Sequence, residues 1–260
     1  MTMKIKLLDN TEHELQELID NAYSDEFYYG YLGKTVFSSS NLKLLLDSPK
    51  TYHYVMKYGQ EQSSQALRDG WLFHTMILEP EKMEDVIFVD VQSKNTKKFK
   101  EAKAEYPDVF TMKEKNDAER LVDAISKNSK AMELMRNSVT EIPAIGLING
   151  YPFRAKADIF KKSGAIIDLK TTIDVSNFDK SAQKYRYYLQ VYIYCELFGV
   201  DYKDFKFLCI DKKNLDIAVW DVSEDFYNKG KDEVMRAISI YEDYISEDFD
   251  VNEFLITGTL

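Results

Sequence analysis

Between residues 142 and 170 three strand-like segments follow one another with almost no connecting chain, and that spacing restricts the fold more than any other feature. Segments 142–148 and 151–160 are separated only by Asn149-Gly150, the dipeptide of a two-residue hairpin turn. Segment 165–170 follows a short turn over 161–164. Connections this short join antiparallel neighbours, because a parallel partner needs a crossover of a dozen residues or more. A three-strand meander is therefore expected at the centre of the chain.

The flanking sequence extends this unit. A helix is expected over about 181–198, then strands at 204–211 and 215–222, then a helix from Ser223 to about residue 245. The first 135 residues read mostly as helices. Thr11 and Glu14 have capping-box spacing, 38–46 reads as a short helix, and Ser48 with Pro49 opens the next. Over 64–78, Leu67, Trp71, His74 and Leu78 recur at helical spacing as one apolar face. A short strand is expected at 86–89, and Thr111 with Glu114 caps a helix running to about Lys127. This order predicts an α/β (α+β) fold: a central mixed sheet flanked by helices, with a helical N-terminal lobe. The expected layout is an N-terminal extension over 1–35 and one domain over 36–260, divided into a helical lobe (36–138) and a core (139–250). Repeats and Gly/Ser linkers are absent from the sequence.

The net charge of −10 argues against a nucleic-acid partner only if the charge is evenly spread, and it is not. From Arg154 to Arg186 there are eight Lys/Arg against four Asp, and Lys94, Lys97, Lys98, Lys100 and Lys103 form a second basic cluster. Much of the acid lies in 9–26 and 221–253. Cys195 and Cys209 stand alone, which excludes a disulfide framework, a CxxC zinc pair and a four-cysteine iron–sulfur cluster. With His13, His53 and His74 as the only histidines, a metal site would rest mainly on carboxylates. No apolar run is long enough for a membrane helix and the N-terminus lacks a signal-peptide core, so a cytoplasmic protein without a membrane partner is expected. No Walker A motif is present, consistent with independence from ATP.

The chemistry concentrates in the meander. Along a regular strand, Phe153, Ala155, Ala157 and Ile159 would face one side, and Arg154, Lys156 and Asp158 the other. On the next strand Asp168 and Lys170 share a face. Across the turn, Asp158 and Asp168 can approach each other, and two adjacent carboxylates repel unless a cation lies between them. Oxygen donors of this kind suit Mg²⁺ or Mn²⁺. An exposed hairpin of alternating charge would show the same pattern. His74, one helical turn from Gly70, could add an imidazole ligand or could be a core residue. Gln190 and Tyr194, at i and i+4, share a helix face near the hairpin, where aromatic packing alone could also place them.

Taken together and in order, these segments resemble the exonuclease VIII (RecE-like) branch of the PD-(D/E)xK nuclease superfamily, related more distantly to the RecB nuclease domain and lambda exonuclease. The likeness lies in Ser38-Ser-Ser-Asn-Leu-Lys with Ser48-Pro-Lys-Thr-Tyr, and in Gly70-Trp-Leu-Phe-His74 with Leu78-Glu-Pro-Glu81. It continues in Ala157-Asp158, Ile167-Asp-Leu-Lys-Thr-Thr172 and Tyr185-Arg-Tyr-Tyr-Leu-Gln190, and spans about 36–245. The proline of the eponymous Pro-Asp pair is replaced by Ala157. The resemblance implies that His74, Asp158 and Asp168 bind Mg²⁺ or Mn²⁺, with the Leu169 carbonyl as a further ligand. It implies that Lys170 orients or activates water, that Gln190 holds Lys170 or the DNA backbone, and that Tyr194 completes a QxxxY pattern. Glu141 stands where the superfamily often has an upstream carboxylate.

The implied activity is ATP-independent exonuclease action on linear double-stranded DNA, 5′→3′, leaving 3′ single-stranded tails for phage-type recombination in a bacterial or phage-infected cell. A homo-oligomeric ring and a single-strand annealing recombinase partner are implied too. Phosphate contacts are expected from Lys97, Lys98, Arg154, Lys156 and Arg186. Two other readings stay open: a nuclease of this fold serving restriction, repair or CRISPR adaptation, and a non-catalytic DNA-binding relative.

Overall fold

Short polar side chains open most helices of the computed structural model, which describes residues 3–59, 64–245, 250 and 254–255. The chain begins with a ribbon of β1 (Lys4–Lys6) and β2 (Glu12–Glu14), then α1 (Leu15–Asn21), a π-helical turn (Glu26–Tyr31) and the single turn α2 (Leu32–Thr35). α3 (Ser39–Asp47) and α4 (Pro49–Tyr58) are capped by Ser38 and Ser48, and Pro49 occupies the first turn of α4. α5 (Gln65–Leu78), β3 (Ile87–Val89), α6 (Lys97–Glu105) and β4 (Val109–Thr111) lead to α7 (Met112–Lys127), which uses the expected Thr111–Glu114 box, and α8 (Ser129–Met135). Each such cap satisfies otherwise orphaned amides and stabilises by about 1 kcal/mol.

The central sheet follows: β5 (Ser138–Ile148), β6 (Tyr151–Lys161), β7 (Ile166–Thr172), then α9 (Phe178–Lys184) and α10 (Tyr187–Phe198), then β8 (Phe205–Asp211) and β9 (Ile217–Asp221). α11 (Glu224–Tyr244) follows behind its Ser223 cap. The strand order is β5-β6-β7-β8-β9, with β7 and β8 parallel and the other pairs antiparallel. The meander and the mixed sheet are thus as expected, and Asn149 and Gly150 take the positive φ values that their hairpin turn requires. The acidic stretch expected at 221–253 lies in part, at 246–249 and 251–253, outside the described residues. Among the described residues no helix is long and apolar enough to cross a membrane.

Helices cover both faces of the sheet. On one side Phe153, Ala155 and Ala157 pack under α10, with Leu189, Val191 and Ile193, and α11 lies over α10. The α10–α11 crossing is so close that a Cβ on Gly230 would sit 2.1 Å from the Tyr188 carbonyl oxygen. On the other side Ile159, Ile167, Leu169, Leu208 and Ile210 pack against Phe73 of α5 and Leu121 and Ile125 of α7.

Four local expectations are corrected. Thr11 bonds Asp9 in the β1–β2 turn instead of capping a helix, because residues 12–14 pair as a strand and α1 starts at Leu15. The helix expected over 181–198 is two helices, broken where Arg186 adopts left-handed backbone to reach Asp47 and Glu233, each at 3.0 Å. The buried side of α5 is not the stripe of Leu67 and Trp71, which are 61% and 38% exposed. It is Leu72, Phe73, Thr75 and Leu78, since α5 is held between the sheet and the Phe110–Ala118 cluster. A Cβ on Gly70 would meet nothing within 4 Å, so no backbone approaches there.

Candidate metal centre

Two interruptions in the sheet build the site. β6 and β7 pair at Ile159↔Ile167 and Phe160↔Ile166 and then part. The next residues in that register are Asp158 and Asp168. Asp158 fills the gap with its carboxylate, whose Oδ2 accepts the Leu169 N–H at 2.7 Å in place of a ladder bond. The alternation expected along this strand breaks here: Ala157 packs toward α10, but Ile159 packs toward α5 instead of sharing its side. On the far side of β6, Glu141 lies opposite Asp158, between the pairs Thr140↔Ile159 and Ile142↔Ala157. Its φ is +52°. Non-glycine residues avoid that conformation, and the strain of about 1–3 kcal/mol persists only where surrounding structure imposes it, often at functional sites. Three carboxylates, Glu141, Asp158 and Asp168, therefore form one row across three strands.

α5 delivers the imidazole. The Thr140 hydroxyl donates to the Leu78 carbonyl at 3.0 Å, fixing the end of α5 against β5. His74 Nδ1 then lies 3.6 Å from Asp158 Oδ2. One potential ligand atom from each of His74, Glu141 and Asp158 lies within 4.8 Å of the others. The Leu169 backbone lies beside the His74 ring.

Asp168 has other partners. It is fully buried, accepts from the Gln190 amide and contacts the Lys170 ammonium. Gln190 therefore holds Asp168, and through it Lys170. Tyr194, one turn further along α10, turns its hydroxyl toward the Lys156 backbone.

The electrostatics follow from burial. Loss of solvent, then the charge of Asp158, pushes Glu141 up to about 8. Burial also raises Asp158, and lifts Asp168 to about 6 against the pull of Lys170. Burial and the nearby Lys170 drive His74 down to about 4, leaving a neutral imidazole at neutral pH. Burial disfavours the Lys170 charge, but Asp168 and Asp158 outweigh it, so Lys170 is raised and stays an ammonium.

This donor set fits a divalent cation. Burial makes Glu141 and Asp158 resist ionisation despite the pull of Lys156 on the first and Lys170 on the second, and an uncharged imidazole stands beside them with a lone pair to give. A small hard dication relieves the carboxylates and accepts both oxygen and imidazole nitrogen donors. Among the described residues no arginine pairs with Glu141, Asp158 or Asp168.

The expected DNA-contacting residues divide. Lys97 and Lys98 are exposed on α6. Arg186 is partly exposed between two acids. Arg154 and Lys156 are buried, at 7% and 6%, contrary to the phosphate-contacting role expected of them. The cause is the N-terminal turn: Arg154 donates to the Tyr28 carbonyl and lies over the Tyr28 ring, and Lys156 bonds Asp25 at 2.9 Å. Sequence reasoning missed Lys43 and Tyr187. The ammonium groups of Lys43 and Lys170 lie 5.2 and 5.0 Å from the Tyr187 ring centroid. The i, i+3 spacing of Tyr187 and Gln190 was the available signal.

A mixed sheet flanked by helices, with an aspartate on one strand and Asp-x-Lys on the next, is the architecture of the PD-(D/E)xK nuclease fold. Residues 38–250 match the PDDEXK-like domain of unknown function (DUF3799), and the chain belongs to that family. Among solved structures it is similar to a protein of Eubacterium rectale named as an exonuclease, with a TM-score of 0.63 and 15% identity over 91% of this chain and 95% of that one. At that identity the likeness is one of fold. A phage-related exonuclease of Haemophilus somnus aligns at 12% identity over 94% of this chain and 95% of that one, with a TM-score of 0.37. No curated protein matches the chain.

Proposed function

We propose that this protein is a Mg²⁺- or Mn²⁺-dependent, ATP-independent exodeoxyribonuclease acting on linear duplex DNA. The observation that carries this reading is the convergence of His74, Glu141 and Asp158 beside an Asp168-bound ammonium. His74, Glu141 and Asp158 would hold the cation, with Asp168 and the Leu169 carbonyl as further oxygen donors. A divalent cation there supplies Lewis acidity toward a phosphate oxygen and makes water a better nucleophile. Lys170, kept charged by its acidic neighbours, is no proton acceptor. It donates hydrogen bonds to the attacking water or to a phosphate oxygen and stabilises the negative charge that grows there. Gln190 fixes Asp168, and Asp168 fixes Lys170, so the ammonium is positioned before substrate arrives. Lys97 and Lys98 on α6 would contact phosphates without reading sequence. Burial removes Arg154 and Lys156 from that role.

By the resemblance to exonuclease VIII, the polarity is 5′→3′, the products are 3′ tails for recombination, the protein is a homo-oligomeric ring, and the partner is a single-strand annealing recombinase. The test is digestion of linear and closed-circular duplex DNA with Mg²⁺ or Mn²⁺ and no ATP, labelled at either end, beside Asp158→Asn. Release of nucleotides from linear DNA alone, lost in the variant, is expected. Cutting of closed circles assigns an endonuclease instead, and equal release by both proteins removes Asp158 from the site.

A further inference from the structure

Residues 25–29 lie outside the stretch that matches the family, yet they touch the metal centre through a single lysine. The Lys156 ammonium lies 2.9 Å from Asp25 and 5.1 and 5.4 Å from the Tyr28 and Tyr29 ring centroids. Its other carboxylate neighbour is Glu141, at 3.8 Å. One N-terminal turn thus supplies an anion and two π faces to a buried cation whose remaining carboxylate neighbour, among the described residues, is Glu141. Asp25 is held in place in turn by Lys82, which is also 2.8 Å from Glu79.

The geometry points to Asp25 as a positioning residue of the metal centre, an inference that rests on the reading of His74, Glu141 and Asp158 as cation ligands. Lys156 and a divalent cation compete for the same Glu141 carboxylate. Asp25 draws the ammonium to itself, and the Tyr28 and Tyr29 rings help hold it there by cation–π attraction. Glu141 is left free to coordinate. Partners beyond the ligands commonly set metal affinity by about 10–100-fold, and this one is contributed by a segment outside the family-matched domain. The same contact pins the segment to the core, together with the packing of Ile5, Leu18, Tyr28 and Leu32 against Ile145.

The test is Mn²⁺ binding to the full chain without DNA, measured by calorimetry or by the paramagnetic resonance of free Mn²⁺, with thermal melts to verify folding. In Asp25→Asn the ammonium closes on Glu141, and Mn²⁺ affinity is expected to fall about tenfold. Adding Lys156→Met removes the competitor, and the double variant is expected to recover native affinity. Lys156→Met alone is expected to bind Mn²⁺ at least as tightly as the native protein. A purely structural role for Asp25 predicts the opposite, because Lys156→Met would deepen the defect. Unchanged affinity in Asp25→Asn, no rescue in the double variant, or weaker binding in Lys156→Met overturns the inference while the centre stands. Absence of Mn²⁺ binding in the native protein removes the centre and this inference with it.

Discussion

Replacing Glu141 by Gln should make the cation-free protein more stable while weakening its response to metal. Glu141 has a carboxyl pushed from its ordinary 4.5 to about 8, first by burial and then by Asp158. The folded state therefore keeps a proton that the unfolded chain gives up above pH 4.5. Stability without cation must fall as pH rises from about 4.5 to about 8, because the unfolded state binds fewer protons in that window. Over the roughly 2.5 units up to pH 7, at about 1.36 kcal/mol per unit, the loss is about 3 kcal/mol. Glutamine stays neutral in both states, so Glu141→Gln recovers up to that amount. For a chain of this size that is roughly 6–12 °C in Tm, at about 2–4 °C per kcal/mol. The assay is urea or thermal unfolding at pH 5 and pH 8 in chelator, repeated in Mn²⁺. At a free concentration a hundredfold above the native Kd at pH 8, the cation should stabilise the native protein by about 2.7 kcal/mol at that pH, by less at pH 5 at the same concentration, and the variant by much less. A variant no more stable than the native protein at pH 8 in chelator, or one with the full Mn²⁺ gain, would refute the reasoning.

Three further outcomes follow from the same geometry. Lys170→Met should lower the rate of DNA cleavage by about 10²–10³-fold while Mn²⁺ still binds; parallel loss of binding, read by calorimetry, would place Lys170 in the cation's support instead. Gly230→Ala should destabilise by about 1–3 kcal/mol or more, read as a lower Tm, because its Cβ meets the Tyr188 carbonyl and forces α10 and α11 apart. Lys97→Ala with Lys98→Ala should weaken DNA binding uniformly across sequences and reduce the slope of log affinity against log salt by about 2. An unchanged slope takes α6 off the DNA path.

What the sequence determined by itself is the set of local structures whose causes are local. The caps at Ser48 and Thr111, the Asn149-Gly150 turn and the meander were legible because each depends on residues a few positions apart. So was the adjacency of Asp158 and Asp168, which the hairpin imposes. The tertiary structure decided the rest. Strand period assigns faces only while the strand stays regular, and β6 leaves β7 at Asp158. That departure, together with the left-handed Glu141, is what gathers Glu141 and Asp158 with His74. Arg154 and Lys156 were expected to contact phosphates but are buried, because the turn around Asp25 and Tyr28, some 130 positions earlier, covers them. The physical reason is range: caps and turns are satisfied by neighbours in the chain, whereas the charge state of a buried carboxylate depends on whatever distant segments the fold brings against it.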